Sequence, residues 1–288
     1  MDMQKKAYVY AITSVLIWST VASAFKISLN YLNFVQLLFY ASFTSFLILF
    51  SILLFQKKMK LLKNFSRRDY LNSALLGFLN PFLYYIVLFR AYSLLKAQEA
   101  QALNYTWPII LVMLSIPLLK QKIKMKSIFA ISVSFSGAFI ISTEGKFSIH
   151  FANLEGIAFA LSSAFIWAIF WIFNMRDKRD EVAKLFLNFL FGILFIIIFI
   201  LLLSEKIPDN INGIAGAIYV GLFEMGITFI LWIKALKLSQ TSAQVGNLIY
   251  LTPFLSLLMI HFLVGEKILL STLLGLIFII SGIIIQHK

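Results

Sequence analysis

The chain has 288 residues, 61% hydrophobic and only 13% charged, with a mean hydropathy of +0.91 and a formal net charge of +13. A water-soluble domain carries roughly a quarter charged residues, so most of this surface is built for lipid. The chain has no cysteine, and its three histidines, His150, His261 and His287, are far apart, which excludes disulfides and thiolate chemistry and argues against an imidazole metal centre.

A helix needs about 20 apolar residues to cross the hydrocarbon core. Such spans are expected at 7–25, 33–55, 70–90, 97–119, 126–143, 153–173, 182–203, 211–233, 239–262 and 267–286. Span 1 follows Lys5 and Lys6 and contains Ala22-Ser23-Ala24, like a cleavable signal peptide. The internal repeat below gives it a counterpart, so it is read as retained. It places Ser14, Trp18 and Ala22 on one face. The basic stretch QKKMKLLKNFSRRD follows span 2. Span 3 sets Asn80 and Tyr84 one turn apart, with Tyr85 to the side. Span 4 gathers Gln98, Gln101, Asn104 and Tyr105 within about a third of the helix. Pro108 shares that arc, and a proline there is expected to free the carbonyl of Asn104. Glu99 lies off this stripe, where Lys96 or Arg90 is its expected partner. Span 6 aligns Ser163, Trp167, Trp171 and Asn174, while Gly156, Ala160 and Ala164 offer a small-residue packing stripe. Span 8 puts Glu224, Thr228 and Trp232 on one face. Glu224 has no charged neighbour for nine residues on either side. Span 9 carries Gln244, Asn247 and Tyr250 beside Pro253.

Ten spans put both termini on one side. Placed in the cytoplasm, they leave nineteen of the 25 Lys and Arg residues inside and six outside. That bias is the positive-inside rule. It accounts for the net charge without nucleic acid, for which no binding motif is present.

The chain repeats itself. GFLNPFLYYIVLFRAY (77–92) aligns with GLFEMGITFILWIKAL (221–236), matching Gly77 to Gly221 and Asn80 to Glu224. NYTWP (104–108) aligns with IYLTP (249–253), and SVLIW (14–18) with SAFIW (163–167), so Trp18 meets Trp167. The halves are 1–146 and 147–288, with five spans each. An odd number of crossings inverts the second half, which suits alternating access around a mid-membrane site. The expected fold is therefore an all-α integral membrane protein of ten transmembrane helices in two inverted five-helix repeats.

These residues resemble a known family. The tryptophans of spans 1 and 6, LFRAYSLLKAQEAQALNYTWPI (88–109), and 231–285 with its GEK and SG elements are similar to the EamA branch of the drug/metabolite transporter superfamily. The resemblance covers essentially the whole chain. It implies two inverted five-helix halves, a cavity lined by helices 1, 3, 4, 6, 8 and 9, and export of metabolites, amino acids or drug-like compounds. The family commonly has Gly after the span 1 tryptophan; here Ser19 follows Trp18 and Ala168 follows Trp167. Glu224 is not general to the family pattern.

Polar residues inside spans face protein or water rather than lipid. The candidate cavity residues are Trp18, Asn80, Tyr84, Tyr85, Gln101, Asn104, Tyr105, Trp167, Glu224, Thr228, Asn247 and Tyr250. The plainer reading of each amide is an interhelical hydrogen bond, and of each tryptophan, packing. No nucleotide-binding GxxxxGK[ST] loop is present, so a gradient must drive any uphill transport. A carboxyl in low dielectric holds its proton more tightly, which makes Glu224 the candidate coupling site. The expected function is a secondary-active exporter of amino-acid-like, neutral or cationic metabolites in the cytoplasmic membrane. Its partners are the bilayer, a small-molecule substrate and protons, with oligomeric state left open. A channel or lipid scramblase is the alternative. An intramembrane enzyme is disfavoured because no catalytic set accompanies the lone Glu224, and no cofactor or metal is expected.

Overall fold

A computed structural model describes residues 3–119, 125–146, 153–203, 210–239 and 247–287. Gln244, the 146/147 repeat boundary and the basic residues Lys120, Lys122, Lys124 and Lys206 fall on or next to stretches outside them. Every regular element among the described residues is helical. The helices are α1 (Met3–Ser28), α2 (Phe34–Phe55), α3 (Met59–Lys63), α4 (Arg67–Gly77), α5 (Tyr84–Leu94), α6 (Ala97–Asn104), α7 (Trp107–Leu119), α8 (Met125–Ser142), α9 (Leu154–Arg176), α10 (Glu181–Leu203), α11 (Ile211–Phe223), α12 (Ile227–Leu238), α13 (Thr252–Met259) and α14 (Leu270–His287).

Lipid offers no partner for backbone groups, so helices must satisfy their own. Among the described residues, six helical stretches are long and apolar enough to cross a membrane: Met3–Ser28, Phe34–Phe55, Arg67–Leu94, Leu154–Arg176, Glu181–Leu203 and Ile211–Leu238. The chain is thus an all-helical, multi-pass membrane protein. Side chains cap the exposed starts. Asn33 and Gln36 form a capping box on α2, and Ser66 with Asp69 forms one on α4. Asn153 and Asn210 cap α9 and α11.

Two expected spans are interrupted at their centres. Span 3 leaves helical geometry at Asn80, with φ −150° and ψ 117°, inside a widened turn at Phe78–Leu83. Span 8 stops at Phe223 and restarts at Ile227. Asn80 and Glu224, which the repeat aligns, each sit at such a break. The face that joins Glu224 to Thr228 and Trp232, and the one that joins Asn80 to Tyr84, both assume an unbroken 100° step. Neither helix is continuous there.

The described chain forms two compact units. The first comprises Met1–Phe82 and Lys178–Val264; the second comprises Leu83–Asp177 and Gly265–Lys288. Each draws on both halves of the sequence. In the first unit α1 packs on α11, α12 and α13, α2 packs on α10 and α11, and α4 packs on α10. In the second, α5, α6 and α7 pack on α9, and α8 packs on α14. Exchanging the sequence halves carries α1–α12 into α9–α5, and α2–α11 into α10–α4.

Glycine makes two of these crossings close. A methyl group on Gly77 would overlap the carbonyl oxygen of Asn188 and lie 3.0 Å from the nitrogen of Gly192. A methyl on Gly221 would overlap the carbonyl oxygen of Ala41 and approach Thr44 Cβ to 2.6 Å. The repeat-related glycines therefore make the same kind of contact, α4 on α10 and α11 on α2. In the second unit, a methyl on Gly156 would meet Leu95 Cγ at 2.7 Å, and Ala160 and Ala164 are fully buried. The small stripe of α9 is a packing surface.

Candidate functional site

In the first unit, Glu224 and Thr228 lie at the break between α11 and α12, and Trp18 packs on α12. The amide of Glu224 donates to the Val220 carbonyl at 2.8 Å, and that of Met225 reaches the same oxygen at 3.4 Å. The Thr228 hydroxyl donates to the Phe223 carbonyl, which a continuous helix would pair with a backbone amide. Thr228 is fully buried, whereas Glu224 is half-buried. The Trp18 ring meets Phe229 edge-on at 5.9 Å and Trp232 at 5.5 Å. Elsewhere along the packed α1 and α11, Thr20 and Tyr219 share a hydrogen bond of 2.6 Å. Ser256 on α13 donates to the Ser19 carbonyl at 2.9 Å. The residue after Trp18 is therefore a docking point for α13. Asn80 is buried at the other break of this unit, with no hydrogen-bond partner for its Oδ1 among the described residues. Asn247 opens the tight helical turn Asn247–Leu251, which also carries the half-buried Tyr250.

The second unit assembles Tyr84, Tyr85, Asn104 and Trp167. The Tyr84 ring stacks on Trp167 at 4.4 Å and touches Tyr85 at 4.7 Å. The Tyr84 hydroxyl donates to Asn104 Oδ1 at 3.3 Å, and Asn104 Nδ2 donates to Ser163 Oγ at 2.8 Å. Ser163 closes the chain on the Ala160 carbonyl at 2.7 Å. Trp171 lies edge-on to Trp167 at 5.8 Å and stacks on Trp107 at 6.4 Å. The result is an aromatic wall with an amide and a hydroxyl set into it. Gln101 is buried and Tyr105 half-buried on the neighbouring α6 segment. Replacing Asn104 with Leu removes two side-chain hydrogen bonds in a low-dielectric setting. A loss of about 1 kcal/mol is expected, read as a lower thermal midpoint in detergent, and an unchanged midpoint would show that the chain of bonds contributes nothing.

Span 4 is not one continuous helix, and one of its amides follows the plainer, hydrogen-bonded reading. The helix is interrupted at Tyr105–Thr106, before the proline, and α7 starts at Trp107. Pro108 thus lies in a first helical turn, where its missing amide costs little. Gln98 is committed to structure. Its Nε2 donates to Glu266 Oε2 at 3.3 Å and to the Lys267 carbonyl at 2.8 Å, while its Oε1 accepts from the Leu269 amide at 2.9 Å. Glu266 in turn accepts from the Ala97 amide at 2.7 Å. The GEK element and span 4 cap one another. Glu99 lies 3.7 Å from Lys96, as expected. Sequence reasoning did not mark Thr20, Tyr219 or Phe229, because a hydroxyl pair 199 residues apart and one phenylalanine among 30 carry no local signal.

A model of the EamA-like transporter family matches residues 5–143 and 154–286. The chain belongs to that family. Among its relatives, an uncharacterized transporter of Clostridium kluyveri is 28% identical over 201 residues, covering 67% of this chain and 64% of the relative. One of Acidianus ambivalens is 31% identical over 158 residues, covering 54% of this chain and 60% of the relative. This chain therefore matches less than two-thirds of the length of either. One of Archaeoglobus fulgidus is 23% identical over 286 residues and 98% of both chains. A solved crystal structure superposes with a TM-score of 0.66 at 19% identity, over 98% of this chain and 96% of the other. At that identity the likeness concerns the fold alone. The EamA-type chain is accordingly a membrane protein of a transporter family, and neither the family nor the relatives carry an enzyme's name.

Proposed function

We propose that this EamA-type chain is a secondary-active transporter that exports small organic metabolites from the cytoplasm by alternating access. The observation that carries the reading is the pair of helix breaks at Asn80 and Glu224. Interrupted helices at corresponding positions of two repeats are the strongest pointer to a mid-membrane substrate site. The pairing of α1 with α12 and of α9 with α5, equivalent under exchange of the halves, supports ten spans in two inverted five-helix repeats, 1–146 and 147–288. The excess of Lys and Arg in alternate connections supports cytoplasmic termini in the cytoplasmic membrane.

The candidate residues are aromatic, amide or hydroxyl groups with a single carboxylate. This chemistry suits neutral, zwitterionic or cationic amino-acid-like compounds. A phosphorylated substrate would call for arginine or lysine among them. The candidate residues of the first unit are Trp18, Asn80, Glu224, Thr228, Asn247 and Tyr250, and those of the second are Tyr84, Tyr85, Gln101, Asn104, Tyr105 and Trp167. Glu224 is the group that couples transport to protons.

The test is reconstitution into liposomes with a panel of amino acids, nucleosides and amines. Uptake that saturates with substrate, shows counterflow and responds to an imposed pH gradient is expected. Flux rising linearly with concentration, without counterflow, would instead identify a channel or scramblase.

A further inference from the structure

The connection between α2 and α4 is basic, ordered and only partly neutralised. A left-handed residue, Lys57 with φ 55°, ends α2, and the Lys58 amide returns to the Leu53 carbonyl at 3.0 Å. This is a Schellman-type stop that fixes the exit direction of the chain. The short α3 follows, and the Tyr70 hydroxyl donates to its Leu62 carbonyl at 3.0 Å. Two cations tie the segment to the start of α10. Lys58 pairs with Asp180 at 2.6 Å, and Arg179 donates to the Asp69 carbonyl at 2.9 Å while its guanidinium lies 5.2 Å above the Phe65 ring. Burial alone would raise the Asp180 carboxyl, but hydrogen bonds from Lys58 and from the Ala183 and Val182 amides outweigh it and hold the group below its ordinary range.

Five further cations, Lys57, Lys60, Lys63, Arg67 and Arg68, are exposed and make no ion pair among the described residues. Arg67 and Arg68 occupy the first turn of α4. The helix dipole disfavours cations there, so folding does not explain them. The apolar side chains at either end of the segment, Phe55 at 87% and Leu71 at 71% exposure, are left uncovered by the described residues, as suits contact with hydrocarbon. The five charges therefore sit at headgroup depth, on a backbone that is already fixed.

We propose that residues 56–68 form a docking surface for the phosphate headgroups of anionic phospholipid in the leaflet they adjoin. Charge complementarity selects the ligand. Each basic residue near an anionic membrane surface adds attraction that falls with ionic strength, and the rigid connection presents five at once. The surface requires neither the substrate assignment nor the orientation given above.

The experiment compares the full-length protein with the variant Lys57→Gln, Lys60→Gln, Lys63→Gln, Arg67→Gln, Arg68→Gln in detergent micelles doped with phosphatidylglycerol or phosphatidylcholine. Native mass spectrometry reads the retained lipid, and the thermal midpoint reads stabilisation. Phosphatidylglycerol is expected to raise the midpoint of the parent and phosphatidylcholine not to. The variant should keep its midpoint in phosphatidylcholine yet retain at least about tenfold less phosphatidylglycerol. Equal responses to the two lipids would overturn the proposal, as would a variant that keeps the response. Soluble glycerol phosphate reproducing the shift would assign the surface to free phosphate instead of lipid. Should the variant not fold, the pair Arg67→Gln, Arg68→Gln is compared in the same way, with a smaller loss of retained lipid expected and an unchanged response overturning the proposal.

Discussion

Glu224→Gln is expected to abolish the response of transport to a pH gradient while leaving the protein folded. Gln matches Glu in shape and cannot release a proton. The substitution therefore separates the geometry of the break from its charge. Glu224 is half-buried beside the fully buried Thr228, where α11 ends and α12 has not begun. An ionisable group inside a span is costly and functional by default. A fall of at least about tenfold in gradient-driven uptake is expected, with the thermal midpoint held within the effect of an ordinary surface change. Substrate counterflow, which needs no gradient, should persist. Loss of counterflow as well would make Glu224 a recognition site for a cationic substrate. Full pH-dependent uptake in the variant would remove the carboxylate from the coupling mechanism.

Gly77→Ala and Gly221→Ala are each expected to destabilise the protein, by about 2 kcal/mol or more. The sign is informative, because Gly→Ala within a helix normally gains up to about 1 kcal/mol. Here the added methyl would overlap a backbone carbonyl oxygen, that of Asn188 in one case and of Ala41 in the other. A flexible side chain could turn away, but a carbonyl inside a helix cannot move without moving the helix. The helices α4 and α10, or α11 and α2, would have to separate. Each glycine lies three residues before a break, at Asn80 and Glu224 respectively, so a displaced crossing should also disturb the candidate site. Thermal unfolding in detergent, with substrate counterflow alongside, provides the measurement. A midpoint that rises in either variant would mean that the crossing has more room than the packing allows.

Much of this protein is legible in the order of its residues. Hydropathy marks the spans because burial in hydrocarbon is a local demand, made of each stretch of about 20 residues separately. The charge bias and the repeat are likewise written along the chain. The repeat already set Asn80 against Glu224 and Gly77 against Gly221. Tyr84, Asn104 and Trp167, which the sequence offered from three different spans, come into contact by stacking and a hydrogen bond, the plainer of the two readings of each.

Other features depend on what lies opposite a residue, and only the tertiary structure decided them. Periodicity presumes a continuous helix, so it could not find the breaks at Asn80, Tyr105 and Glu224 or see that they interrupt the predicted faces. Gln98 belongs to its stripe by angle, yet its partners are Glu266, Lys267 and Leu269, about 170 residues away. A glycine in a helix reads as a weak point until a neighbouring carbonyl fills the space of its missing methyl. Sequence fixes what each segment can bury; which helix supplies the opposing surface is set by packing across the whole chain, and that choice brought Tyr84, Asn104, Ser163 and Trp167 into one stacked and hydrogen-bonded cluster.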